Sequence, residues 1–242
     1  MRWFAYGGCV IAAAAALQAV AAAPAIPEFS HLTSARFQTL TMDSEVVTEN
    51  RAELKKIPGD FAQAYRFHKV SIAYKQPGKL QFDTTVAGAH ITYTINGNKR
   101  FTSVPSFHVH KVEDISGAPG KKQSLLDCGL VPPELLDDFD GIYERNDAGQ
   151  LVYKVKPKIK TERFHEQVWV DPKTHIVTKR ERYNQDGKLM SWYKYLNPTE
   201  PRPRMYVPTR VEVYNPENKL AGVTIYKNIK INLGVDDKIF DF

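Results

Sequence analysis

From Tyr65 to the C-terminus, stretches of alternating apolar and polar side chains are separated by turn dipeptides, and no other feature restricts the fold of this chain so much. Alternation with a period of two marks a strand with one face against a core and the other in water. Around AYKQPGKLQFDTT (residues 73–85), a run carrying Ile72 and Tyr74 meets Gln76-Pro77-Gly78 and restarts with Leu80 and Phe82. Pro-Gly is turn punctuation, so this reads as two antiparallel strands joined by a tight turn. HITYTINGNKRF brings Ile91, Tyr93 and Ile95 into Asn96-Gly97, the strongest short hairpin signal. The pattern continues in SFHVHKVED, LVYKVKPKI, FHEQVWVDPKTHIVTKRERYNQDGKLMSWYKYL and YVPTRVEVYNPENKLAGVTIYKNIKIN, with turns at Asp171-Pro172, Asp186-Gly187 and Asn215-Pro216. Roughly ten strands in sequential hairpins predict a mainly β (α+β) chain built on one large, meandering antiparallel sheet.

The same alternation assigns faces. Ile72, Tyr74, Leu80, Phe82, Tyr93, Ile95, Val168, Val170, Val211, Val213, Ile225 and Ile231 are expected on the inward face, with Trp169 pointing away from its neighbours. The phase slips near His68-Lys69, which suggests a bulge in AYRFHKVSIAYK. It is also ambiguous in VTKRERYNQDGKLMSWYKY, where pairing across Asp186-Gly187 leaves both faces half apolar.

Three regions depart from this pattern. Residues 1–23 carry one early positive charge, Arg2, an alanine-rich apolar middle and the small-residue run AVAAAPA with A-x-A-like sites near residues 21–25, as in a secretory signal peptide. Residues 24–242 are then expected to form one exported, periplasmic domain. Loss of the leader removes Cys9 and leaves Cys128 alone, so stability must come from a core rather than a disulfide. Residues 28–57 look helical: Phe29, Leu32, Arg36, Phe37 and Leu40 lie near helical spacing, although ARFQTLT could equally open a strand. DSEVVTENRAELKKI offers Asp43 or Ser44 as N-cap, with Val47, Leu54 and Ile57 on one face and Pro58-Gly59 as a stop. Residues 116–141 suggest two short helices, one through Leu125-Leu126 stopped by Gly129 and one from Pro132-Pro133 ended by Gly141.

A formal net charge of +6 is spread through KVKPKIKTER and TKRERYNQDGK among acids, the pattern of solvated strand faces rather than a nucleic-acid platform. His108 and His110 in FHVHK could be two metal ligands on one strand face, but no third has diagnostic spacing. Asp137, Asp138 and Asp140 lack the alternating oxygen ligands of a calcium loop. The sequence contains no G-x-S-x-G elbow, phosphate loop or H-E-x-x-H. The aromatic set Tyr74, Phe82, Tyr93, Phe101, Trp169, Trp192 and Tyr195 could form a sugar platform, and is more simply core and cross-strand pairing. No enzyme activity, cofactor or metal is expected.

The ordered set KQPGKLQFD, YTINGNKRF, the helical insert, LVYKVKPK, VWVDPKTHIVTKRERYNQDGKL and KNIKINLGVDDKIFDF resembles the periplasmic outer-membrane lipoprotein-sorting carriers, the LolA-like family, over about residues 60–242. The resemblance implies an incomplete antiparallel barrel covered by an N-terminal helical region and a helical lid, with an apolar concave side that holds acyl chains. It implies a monomeric carrier of a lipoprotein or lipid, with transient membrane contact, an inner-membrane donor and an outer-membrane acceptor. The family turn commonly has an arginine before its proline, tied to opening and closing. Here Lys75 and Gln76 stand there, and lysine lacks arginine's planar fork of donors. An envelope sensing or protein-binding module on the same curved sheet, or an exported β-rich hydrolase, are the alternative functions. In the insert, Leu125, Leu126, Leu135, Leu136 and Phe139 are too many apolar side chains for two short helices to satisfy. They are expected to lie on the sheet's apolar face as a lid, between glycine-rich flanks that suit a hinge.

Overall fold

A computed structural model describes residues 26–59 and 61–242; the expected leader lies outside the described residues. The chain forms one antiparallel sheet of thirteen strands that is not closed into a barrel. β1 (Thr39–Glu49) is followed by a meander of β2 (Lys69–Lys75), β3 (Lys79–Val86), β4 (Ala89–Asn96), β5 (Lys99–Val104) and β6 (Val109–Asp114). A second meander runs through β7 (Phe139–Asp147), β8 (Gln150–Pro157), β9 (His165–Val170), β10 (Val177–Tyr183), β11 (Leu189–Arg202), β12 (Met205–Tyr214) and β13 (Leu220–Ile231). β1 and β13 pair at the centre, from Leu40↔Ile231 to Glu49↔Gly222, and the two meanders fan out from that pair. β6 and β7 are therefore the two free edges, and the insert of residues 115–138 is the connection between them.

The turns follow from their residues. Gly78 and Gly97 take φ of +60°, a conformation that costs a Cβ-free residue nothing, in the hairpins that Pro77-Gly78 and Asn96-Gly97 mark. Two further hairpins turn through Ala87-Gly88 and Ala148-Gly149, where both central residues have positive φ.

The N-terminal region is not helical as expected. Its described residues open with a 3-10 turn, Phe29–Leu32, and then give a long strand through Asp43 and Ser44. Those two side chains resemble caps but are used across the sheet. Ser71 Oγ and Asn228 Nδ2 each donate to the Asp43 carboxylate at 2.8 Å, and Ser44 Oγ donates to the Val70 carbonyl. Leu40 and Met42 alternate into the core. Helix is confined to α1 (Arg51–Leu54), whose cap is Asn50, and to α2 (Phe61–Ala64). The phase slip near His68 has a simple origin: residues 61–64 are this second helical turn, and β2 begins only at Lys69. Tyr65 instead packs against Gly222, where an added Cβ would lie 2.2 Å from its ring.

The insert forms a 3-10 turn at Leu125–Cys128 and α3 at Leu135–Asp138. Ser124 and Asp127 make a reciprocal capping box, and Gly129 ends the turn at φ 83°. Phe139 and Gly141 belong to β7 rather than to the second helix. Gly141 is a contact glycine: Phe29 lies on its backbone, 2.2 Å from where a Cβ would be.

Candidate functional site

The concave face is built from cross-strand rows. Ile72–Phe82–Tyr93 and Tyr74–Leu80–Ile95 run across β2, β3 and β4, because directly paired residues of neighbouring strands share a face. Ile72, Tyr74, Leu80 and Ile95 are buried, and Phe82 and Tyr93 are half-buried with ring centroids 6.0 Å apart. On the other wing Val168, Val170, Val211 and Val213 are buried in the same cluster, joined at the centre by Ile231. Ile225 is placed elsewhere. It pairs with Arg210 and Glu45 and is only half-buried, while the next residue, Tyr226, enters the core. A register shift between Thr41 and Asp43, with Asn228 at φ 54°, resets the phase so that Ile231 points inward.

The insert lies over this face. Leu125, Leu126 and Leu135 are buried in the cluster with Leu130 and Val131, each leucine worth roughly 1.5–3 kcal/mol of removed apolar surface. Leu130 makes an antiparallel bridge to Ile176, and Val177 N–H donates to Gly129 O at 2.9 Å. Tyr195 Oη donates to Leu126 O at 3.1 Å. Cys128 is buried against Tyr226, and burial pushes its thiol up to about 12, so it is an inert small hydrophobe. Leu136 and Phe139 lie at the β7 end of the insert. There, with Phe29, Tyr143 and Tyr153, they line an open cleft of about 420 Å³.

The β2–β3 hairpin meets the insert through residues other than Lys75 and Gln76. Tyr74 Oη donates to Glu134 Oε2 at 3.1 Å, and an added Cβ on Gly78 would lie 3.4 Å from Glu134 Cγ. Burial raises the Glu134 carboxyl, opposed by the hydrogen bonds it accepts from Tyr74 and the Gly78 amide. Lys75 projects to the opposite face and pairs with Asp237 at 2.6 Å, where Lys79 also reaches the same carboxylate at 2.7 Å. Gln76 accepts from Gln38 Nε2 at 3.0 Å.

Sequence reasoning missed a polar group on the concave face. Arg180 on β10 is 4% exposed. Its Nη2 donates to Asp127 of the insert at 2.9 Å, its Nε lies 3.8 Å from Glu166, and its guanidinium stacks 4.4 Å over the Tyr193 ring. Burial opposes the charge of Arg180, but Glu166, Tyr195 and Asp127 outweigh it and hold the guanidinium ionised. Arg182 shares Glu166 from 3.9 Å. Basic residues interspersed with acids point to a solvated face, and the ambiguous phase of VTKRERYNQDGKLMSWYKY does not reveal that one of them turns inward. Thr178 is an extra residue in the β9–β10 pairing, so both Val177 and Arg180 face inward. The aromatic set divides accordingly. Tyr74, Phe82, Tyr93 and Tyr195 belong to the concave side. Trp169 points away, its indole N–H donating to Asp147 and its ring under Lys179; Trp192 stacks on Tyr214 at 3.8 Å, and Phe101 on Phe242. Among the described residues no group of three or more His, Cys, Asp or Glu could hold a metal ion, and no helix is long and apolar enough to cross a membrane.

An open antiparallel sheet whose apolar hollow is filled by a segment joining its two edges defines a half-barrel class of folds. This is the LolA-like fold. A LolA superfamily protein from Nitrosomonas europaea superposes with a TM-score of 0.60 at 14% identity, over 88% of this chain and 94% of that one. An outer membrane lipoprotein-sorting protein domain from Vibrio parahaemolyticus gives 0.51 at 11% identity, over 88% and 93%. A DUF1329 family protein from Desulfovibrio piger gives 0.51 at 13% identity, over 88% and 92%. A family described as "Uncharacterized protein" matches residues 134–242. No curated protein sequence matches the chain.

Proposed function

We propose that the protein is a non-enzymatic periplasmic carrier that takes acyl chains of a lipoprotein or lipid between its concave face and the insert, and moves them toward the outer membrane. The observation that carries this reading is the insert itself. It joins the two free edges of the sheet and places Leu125, Leu126, Leu130, Val131 and Leu135 against the apolar hollow, in the space an acyl chain would need. These apolar contacts can be exchanged for other apolar matter of similar volume, and the few directional bonds to the insert, at Leu126, Asp127 and Gly129, are the ones opening has to break. The cleft bounded by Leu136, Phe139 and Phe29 is the natural place for a chain to begin sliding under it. An inner-membrane donor and an outer-membrane acceptor belong to this reading, as does action as a monomer with transient membrane contact.

Organic extraction of the purified, exported protein followed by mass spectrometry tests it. Stoichiometric acyl lipid is expected. A clean extract from a protein that also binds no fluorescent fatty acid would reject the carrier and favour a protein-binding role in the envelope.

A further inference from the structure

The floor beneath the insert is not wholly apolar, and its polar groups are arranged around one buried cation. Arg180 Nη2 is held by Asp127, but among the described residues its buried Nε has no hydrogen-bond partner. Tyr195, buried beside it, donates its hydroxyl to the insert's Leu126 carbonyl. Both donors are thus turned toward the insert, and the insert answers with a carboxylate and a carbonyl. Two arginines, 180 and 182, face two carboxylates, Glu166 from the sheet and Asp127 from the insert. Lifting the insert removes Asp127 and frees the Tyr195 hydroxyl. It takes from Arg180 Nη2 its 2.9 Å partner and leaves the guanidinium with Glu166 alone, 3.8 Å away and shared with Arg182, an arrangement that favours a replacement anion.

We infer that Arg180, with Tyr195, is the receptor for an anionic headgroup on the acyl cargo, a carboxylate or phosphate, and that Asp127 occupies this position as a stand-in while the insert is closed. The inference rests on the carrier reading and adds the chemical class of the cargo. The geometry suits it. The Asp127 side chain is 46% exposed while that of Arg180 is 5% exposed, so the anion position lies at the rim of the hollow. A headgroup bound there would keep one side in water while its chain ran along the valine rows under the insert. Exchange of one anion for another also keeps the buried charge balanced in both states, so opening does not have to strand the guanidinium.

The test uses the full exported chain and displacement of a neutral naphthylamine probe by two matched pairs of lipids, oleic acid with oleyl alcohol and oleoyl lysophosphatidic acid with monooleoylglycerol. The wild type should prefer the anionic member of at least one pair by about tenfold or more, the worth of a hydrogen bond to a charged group. Preference in the first pair assigns the site to a carboxylate, and in the second to a phosphate headgroup. Arg180→Met should level the preference while neutral lipids still bind. Because that variant removes a buried cation and can fail to fold, Asp127→Asn provides the second reading: loss of the competing carboxylate should tighten the anionic lipid several-fold and change the neutral one less. Equal affinity within both pairs, or an Asp127→Asn protein with unaltered preference, would overturn the headgroup site and leave the carrier intact. Displacement by none of the four lipids would overturn the carrier reading, and this inference with it.

Discussion

The β2–β3 hairpin is gripped from both sides by segments far apart in the chain, the central insert and the C-terminal turn, and the two grips differ in kind. On the concave side the insert presents Glu134 to Tyr74 and Gly78, beside five buried aliphatic side chains. On the convex side the C-terminal turn Asp237–Phe240 presents Asp237 to Lys75 and Lys79. It also buries one ring, Phe240, and takes hydrogen bonds from Gln81 and Asn96 on its carbonyls. Successive residues of a strand face opposite ways, which is how Tyr74 and Lys75 serve different partners. At this hairpin the insert is therefore held by non-directional apolar burial around a reluctant charge, and its directional bonds, at Leu126, Asp127 and Gly129, go to the other wing of the sheet. The tail is held by directional ionic and backbone bonds. The first kind of contact is the one that cargo would replace in the carrier we propose; the second fixes a register.

Four perturbations should separate the two grips. The largest effect is expected from Leu125→Ala, which removes a fully buried side chain and should lower unfolding stability by about 2–5 kcal/mol, as read by denaturant melts. Tail protection in hydrogen exchange should change less than insert protection. Acidification comes next, and its sign differs between the grips. Asp237 is held down to about 2 by its hydrogen bonds and attraction to Lys75 and Lys79. Its contribution is present above the ordinary aspartate value and is lost as the pH falls through about 2. Glu134 is raised from 4.5 by burial, so its contribution is complete below that value and is lost as the pH rises through the raised one. Going from neutral pH toward 2 should therefore loosen the tail and tighten the insert; a parallel response of both protection factors would break the contrast. A smaller effect is expected of salt: about 1 M, where the Debye length is near 3 Å, should speed exchange in the tail and spare the insert. The smallest should come from Glu134→Gln. The amide oxygen still accepts from Tyr74 without a buried charge, so insert protection at neutral pH should rise modestly and lose its dependence on pH.

The hairpins were legible because each depends on a local signal, a two-residue alternation ended by Pro77-Gly78 or Asn96-Gly97. The insert was legible for similar reasons: Gly129 stops its first turn, and its leucines have nowhere else to go. What sequence alone could not supply were features decided by distant partners. Asp43 looks like a helix cap until Ser71 and Asn228 are placed beside it, so the sequence points to helix from Asp43 on, while the strand that ARFQTLT could open is the start of β1. A single bulge at Thr178 moves Arg180 from the expected solvated face to the buried one, and a second shift near Asn228 separates Ile225 from Ile231. Faces inferred by counting hold only as far as the next bulge. The polar receptor on the concave face lies just beyond one.

Hydrogen exchange across residues 121–138, with and without bound oleic acid, tests most directly whether the insert gives way to cargo. The account predicts that bound lipid lowers protection of the insert while the tail at residues 237–240 keeps its own. Equal protection of the insert in both states would show that Leu125, Leu126 and Leu135 are permanent core, and would contradict a displaceable lid.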